Sequence, residues 1–308
     1  MFRGKSGIKI YLLTLLISVA VLGAVAYILL VGMVPIHKGA QTHTSSIEEY
    51  QFEPDAEQEI TMLAVGCSNR GDVPYGFVLI KYSPAEHSLI IAPIPWQITA
   101  TVGTKTYNLP RFYEKIGIQS VVSAVENAFD IQFGKYMMLD IEGFAKLVDY
   151  IGGVIIDLPN DISYHDDSGL TIGFNAGEQL LDGEMLASLF RYPNFEDGEI
   201  SRCKFMGYAF AEMINQNLEP RLVPLVDMAF PTIINSAKSN INAADFSFRR
   251  DAIIYTIEKG GNIARYIEPQ GEFDLRKTVF TPSDEYIAQV NRVFGKAKIK
   301  GYSPLGIS

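Results

Sequence analysis

Apolar positions along the chain fall into three kinds of run. Residues 10–34 form one stretch without a charged side chain, long enough at about 1.5 Å per residue to cross a hydrocarbon core of about 30 Å as a helix. Segments 61–66, 76–82 and 89–94 are short and dense in Ile, Leu and Val, which predicts strands of a sheet buried on both faces. Elsewhere apolar residues recur three and four apart. Val121, Val122, Val125, Ala128 and Phe129 share one helical stripe, and Phe144, Leu147, Val148 and Ile151 another.

Local signals punctuate these runs. Residues 136–139 read as a strand, Asp140 as the cap of the helix after it, and Gly152-Gly153 as its left-handed end, before a strand at 154–157. Asp182 caps a helix carrying Met185, Leu186, Leu189 and Phe190, and a longer helix over 201–217 buries Met206, Ala209, Phe210, Met213 and Ile214. Beyond Pro220 the pattern gives two more helices, a strand pair at 264–267 and 278–281, and a last helix opened by Thr281-Pro282. Alternating strands and helices predict an α/β fold, a layered α-β-α domain around a mostly buried mixed sheet, preceded by one transmembrane helix. The expected divisions are a cytoplasmic 1–9, an anchor at 10–34, a polar spacer at 35–58, one domain over 59–295 and a tail at 296–308.

Charge fixes the expected orientation. Arg3, Lys5 and Lys9 precede the apolar run and only Lys38 follows closely, so the positive-inside bias keeps the N-terminus cytoplasmic and exports the rest. A cleaved signal peptide is the alternative, but its apolar region runs about 7–15 residues, and Gly32-Met33-Val34-Pro35 is a poor cleavage site. A net charge of -9 over 308 residues argues against nucleic acid as a partner. The histidines His37, His43, His87 and His165 are not spaced as a metal cluster, and residues 165–169 read as an acidic turn. Two cysteines, Cys67 and Cys203, make either one bridge or two free thiols.

Several ordered segments carry a resemblance. They are LAVGCSNR from Leu63, KYSPAEHSLIIAPIPWQ from Lys81, Tyr107-Asn108, GKYMMLDIEGFAKLVDYIGGVIIDLP from Gly134, and FNAGEQLLDGEMLASLFR from Phe174. Together they resemble the LytR-CpsA-Psr family over about 61–217. The resemblance implies a membrane-anchored bacterial envelope protein that handles a polyprenyl-phosphate lipid carrier. The family moves glycopolymers, of teichoic acid or capsule type, onto peptidoglycan. It uses arginines and a carboxylate-bound Mg²⁺ or Mn²⁺, and it holds the lipid in an oily slot under the sheet.

The departures fall on that chemistry. The family's first loop carboxylate aligns with Ser68, its Arg-Ser-Asp triplet with Val73-Pro74-Tyr75, and its Arg-Asp pair with Trp96-Gln97. Pro193 and Phe205 stand where further arginines are expected. The resemblance leaves Arg70, Arg191 and Arg202 as phosphate ligands, Asp72 as a replacement metal ligand, Trp96, Gln97 and Asn108 in the pocket, and Asp197 and Glu199 nearby. Arg202, on a buried helical stripe, has two readings: a phosphate ligand, or an ion pair with Glu199 or Asp197. Cys67 and Cys203 both border this pocket, where a disulfide would staple its mouth. Two functions follow: a lipid-phosphate binder with weakened or absent transferase activity, or an active transferase with a rearranged metal site. An acidic, exported domain does not reach DNA, which excludes direct control of transcription.

Overall fold

The computed structural model describes residues 52–68, 73–167, 169–274, 276 and 278–295. The chain divides into two units, Met1–Tyr50 and Gln51–Ser308, and everything below concerns the second. The expected anchor at 10–34, the tail at 296–308 and the loop residues Arg70 and Asp72 lie outside the described residues. No described helix is long and apolar enough to cross a membrane.

The three apolar runs form the heart of a six-stranded sheet. Its members in chain order are β1 (Ile60–Cys67), β2 (Pro74–Ser83), β3 (Ser88–Pro93), β6 (Lys135–Leu139), β11 (Ala237–Ser239) and β12 (Ala264–Tyr266). The spatial order is β11-β6-β1-β2-β3-β12. β1 is antiparallel to β2 and parallel to β6, and β3 is antiparallel to β2 and parallel to β12, so the sheet is mixed.

Alternation along the strands sends side chains to two cores. Leu63, Val65, Phe77 and Leu79 pack with α1 (Leu109–Lys115), α2 (Ile118–Phe129) and α8 (Asp284–Phe294). Val78, Ile91 and the partly buried Ala64 and Ile80 pack against α3 (Ile141–Ile151), α4 (Gly183–Phe190) and α5 (Glu199–Asn217). Helices therefore cover both faces, and the layered α-β-α arrangement follows.

Caps behave as local chemistry dictates. Asp140 Oδ1 accepts from Gly143 N at 2.8 Å, and Asp182 Oδ1 from Met185 N at 2.8 Å. Gly152 and Gly153 end α3 at φ 125° and 76°, a conformation that side chains with a Cβ rarely adopt. Gly183 opens α4 against the backbone of α3; a Cβ there would lie 2.2 Å from the Ala145 carbonyl oxygen. That close approach seats the start of α4 on α3.

The expected strand at 154–157 forms as β7 (Val154–Leu158) and pairs with β10 (Gly177–Leu181) outside the main sheet. Two sequence expectations change. Segments 264–267 and 278–281 do not pair with each other. β12 adds in parallel to β3, whereas β14 (Val279–Pro282) closes a hairpin with β13 (Gly271–Asp274). The last helix is capped by Ser283, whose Oγ accepts from Tyr286 N, two residues past Thr281.

Long-range bonds tie the two ends of this unit together. Arg249 on α7 (Ala243–Lys259) donates to the carbonyls of Gln58 and Glu59. Tyr82 Oη on β2 bonds Ala252 O and Thr256 Oγ1, and Lys81 Nζ donates to Val293 O at 3.0 Å.

Candidate ligand cavity

β1, β3 and β6 all point their carboxyl ends to one edge of the sheet, the edge where ligands bind in open α/β sheets. A cavity of about 970 Å³ opens there. Its lining comes from Ser68 after β1, Tyr75 at the start of β2, Trp96 and Gln97 after β3, Ile141 at the start of α3, and parts of two stretches, Phe190–Phe195 and Gly198–Arg202. Ser68 is held at the end of β1, where its N–H donates to Val73 O at 2.9 Å.

Arg191 owes its place to the end of α4. Its backbone N–H still donates to Ser188 O, but Pro193 follows two residues later and forbids another turn. The side chain is half-buried on the cavity wall, with no hydrogen-bond or ion-pair partner among the described residues. Phe190, Tyr192 and Phe195 give the surrounding wall its aromatic character, continued by Phe205 and Phe144 through ring contacts at 5.5–6.0 Å.

Arg202 is different. Its five N–H donors meet five acceptors inside the protein. Nε donates to Glu199 Oε2 at 2.7 Å, and Nη2 to Glu199 Oε1 at 2.6 Å and Tyr75 O at 3.0 Å. Nη1 donates to Phe190 O at 3.2 Å and to Met206 Sδ at 3.3 Å. Burial alone would lower its pKa; the hydrogen bonds and charge of Glu199 outweigh burial and hold it above the ordinary arginine value. With no donor to spare, Arg202 is a strut joining the end of α4, the start of β2 and the first turn of α5. This corrects the expectation of a direct phosphate ligand, and Glu199 is its partner.

The other expected site residues divide. Trp96 and Gln97 line the cavity. Asn108 does not: its Oδ1 accepts from Arg111 N at 3.1 Å as the cap of α1, the local bond that an Asn before a helix favours. Asp197 is exposed, accepts from Ser201 Oγ at 3.3 Å, and stays out of the lining. The suggested disulfide is not formed, since Cys67 and Cys203 are both buried free thiols.

Burial, with a contribution from Asp140, pushes the Cys67 thiol up to about 11; burial and then Glu199 raise Cys203. Both stay protonated at neutral pH, and a protonated thiol is a poor nucleophile. A thiol-specific disulfide reagent is therefore expected to label neither in the native protein at pH 7 and both in denaturant. Labelling of native protein would show that these cores open.

Tyr75 is the lining residue that sequence reading passed over, since its position registered as a lost carboxylate. Burial, opposed by Arg191, pushes its phenol up to about 12, so it keeps its proton and remains a hydrogen-bond donor. The charged side chains among the described lining residues are two arginines and one glutamate, a net +1 in a chain of -9. Helices α3 and α5 also begin at this wall, and their N-termini favour anions.

The divalent cation that the resemblance implies does not fit the described donors. Glu199 is the one lining carboxylate among them, and Arg202 holds both of its oxygens. No group of three or more His, Cys, Asp or Glu positioned for a metal occurs among the described residues.

The sequence profile of the LytR_cpsA_psr family matches residues 36–262. One curated relative is the polyisoprenyl-teichoic acid–peptidoglycan teichoic acid transferase TagV of Bacillus subtilis. It is 35% identical over 126 residues, 39% of this chain and 31% of its own length. TagU of Halalkalibacterium halodurans, named as the same kind of transferase, is 28% identical over 129 residues, 40% of this chain and 41% of its own. Each match thus spans less than half of the relative. The crystal structure of B. subtilis TagV superposes with a TM-score of 0.62 at 17% identity, covering 77% of this chain and 95% of that one, which shows a shared fold.

Proposed function

The chain belongs to the LytR_cpsA_psr family, and from that premise we propose that it binds a polyprenyl-linked (pyro)phosphate glycopolymer during cell-wall assembly. On this reading its transferase activity is weakened or absent. The segment 10–34 anchors it to the bacterial cytoplasmic membrane, with the domain outside and peptidoglycan or its glycopolymers within reach.

The observation that carries the proposal is Arg191, a half-buried cation without a described partner on the wall of a cavity lined by Phe190, Tyr192, Phe195, Leu170 and Ile141. A phosphate supplies two oxygens to one guanidinium fork. The protonated Tyr75 hydroxyl donates a further bond beside it, and the apolar lining takes the first isoprene units. Phosphoryl transfer, by contrast, needs charge on the leaving phosphate neutralised. Among the described residues, one free arginine and a neutral phenol supply less of this than several arginines with a bound cation.

Binding is expected to need no divalent metal. Affinity for polyprenyl phosphate in detergent micelles should change by less than about twofold between excess EDTA and millimolar Mg²⁺, because the described donors are N–H and O–H groups. A tenfold dependence on Mg²⁺ or Mn²⁺ would contradict this. The relatives' names favour a second reading, an active transferase that joins glycopolymer to peptidoglycan. Release of polyprenyl phosphate from a lipid-linked donor, abolished in Arg191→Ala, would establish it.

A further inference from the structure

Gln97 is about nineteen-twentieths buried, at 5% exposure, and lines the cavity beside Trp96. Its main chain is pinned: the carbonyl accepts from Phe280 N at 3.2 Å, and the next residue, Ile98, bridges to Phe280. The carboxamide is not. Oε1 is sealed from solvent without a hydrogen-bond partner among the described residues. Buried polar side chains rarely go unsatisfied, because an unmade bond is expensive. This unsatisfied oxygen belongs to a residue that lines the cavity described above.

The kind of group that would satisfy it follows from hydrogen-bond inventory. A carboxamide has one accepting end and one donating end, whereas phosphate oxygens only accept and would leave Oε1 unmet. A hydroxyl both donates and accepts, so it meets either end as the amide turns. Arg191 and Tyr75 already provide donors for the anion, and Trp96 offers an aromatic surface of the sort that sugar rings stack on. Building on the function proposed above, we infer that Gln97 recognises a hydroxyl of the sugar next to the bound phosphate. The cavity thereby distinguishes a glycosylated lipid carrier from a bare one.

The test compares two probes in the same micelles, polyprenyl pyrophosphate and polyprenyl pyrophosphoryl N-acetylglucosamine. The wild-type chain should bind the sugar-bearing probe about tenfold more tightly, a typical value for one hydrogen bond to a buried amide. In Gln97→Leu that preference should disappear. Gln97→Asn, which keeps the chemistry but withdraws it by one methylene, should reduce the preference and covers the case in which the leucine variant fails to fold. Preference retained in the variants, or absent in the wild type, would overturn the assignment. If the wild type binds neither probe, the underlying lipid-phosphate function falls with it, which is a separable outcome.

Discussion

Glu199→Gln is expected to lower the stability of the domain by about 3–5 kcal/mol, a typical cost of stripping one partner from a buried ion pair. Both side chains are 10% exposed or less, and Arg202 would keep its charge with two of its five acceptors weakened or lost. For a domain of this size that corresponds to a fall in Tm of roughly 6–20 °C, read by thermal unfolding. Glu142→Gln serves as the internal comparison. Its pair with Lys146, at 2.6 Å, is more than half exposed at both ends, so water screens it and the melting temperature should hardly move. Equal effects of the two substitutions would mean that Arg202 is not the strut that its five bonds imply.

Arg191→Ala should do the reverse, leaving stability within about 0.5 kcal/mol while weakening polyprenyl phosphate binding roughly 10- to 150-fold, the span for hydrogen bonds to a charged group. No described hydrogen bond or ion pair within the protein is lost with this side chain, so the melting temperature should hardly move. Arg191→Lys should fall between, since an ammonium keeps the charge but not the two-pronged fork. Titration of labelled lipid against each variant decides. Unchanged affinity in Arg191→Ala would remove the central cation from the site.

Much of the fold was legible because two periodicities were strong. β1, β2 and β3 appeared as apolar runs, and α2, α3, α4 and α5 as stripes with Asp140 and Asp182 marking starts. What stayed hidden was short or non-local. The hairpin of β4 (Thr99–Val102) and β5 (Lys105–Asn108) has four residues per strand, too few for a pattern. The partner of β12 lies some 175 residues upstream, and nothing local announces it.

The site divided in the same way. Arg191 stood out in the sequence because its surrounding motif is contiguous. Tyr75 was missed because reading by substitution registers what a position lost, not what a neutral phenol donates once buried. Arg202 was placed on a buried stripe, yet its acceptors from Phe190 and Tyr75 are backbone carbonyls supplied by the tertiary fold, one of them 127 residues away. Asp197 and Glu199 stand two residues apart in sequence. The first turn of α5 carries one inward and leaves the other in water.

The bonds between the two ends of the domain bear on how such a chain comes to be folded. β2 and the residue before β1 are clamped by Arg249, Thr256 and the Val293 carbonyl, some 170–210 residues later in the chain. Until those residues have joined it on the same side of the membrane, the hairpin lacks its covering helix and its flanking strands, with apolar faces and an open edge exposed. Closure is therefore a late event, and the emerging chain depends on whatever shields it in the interval.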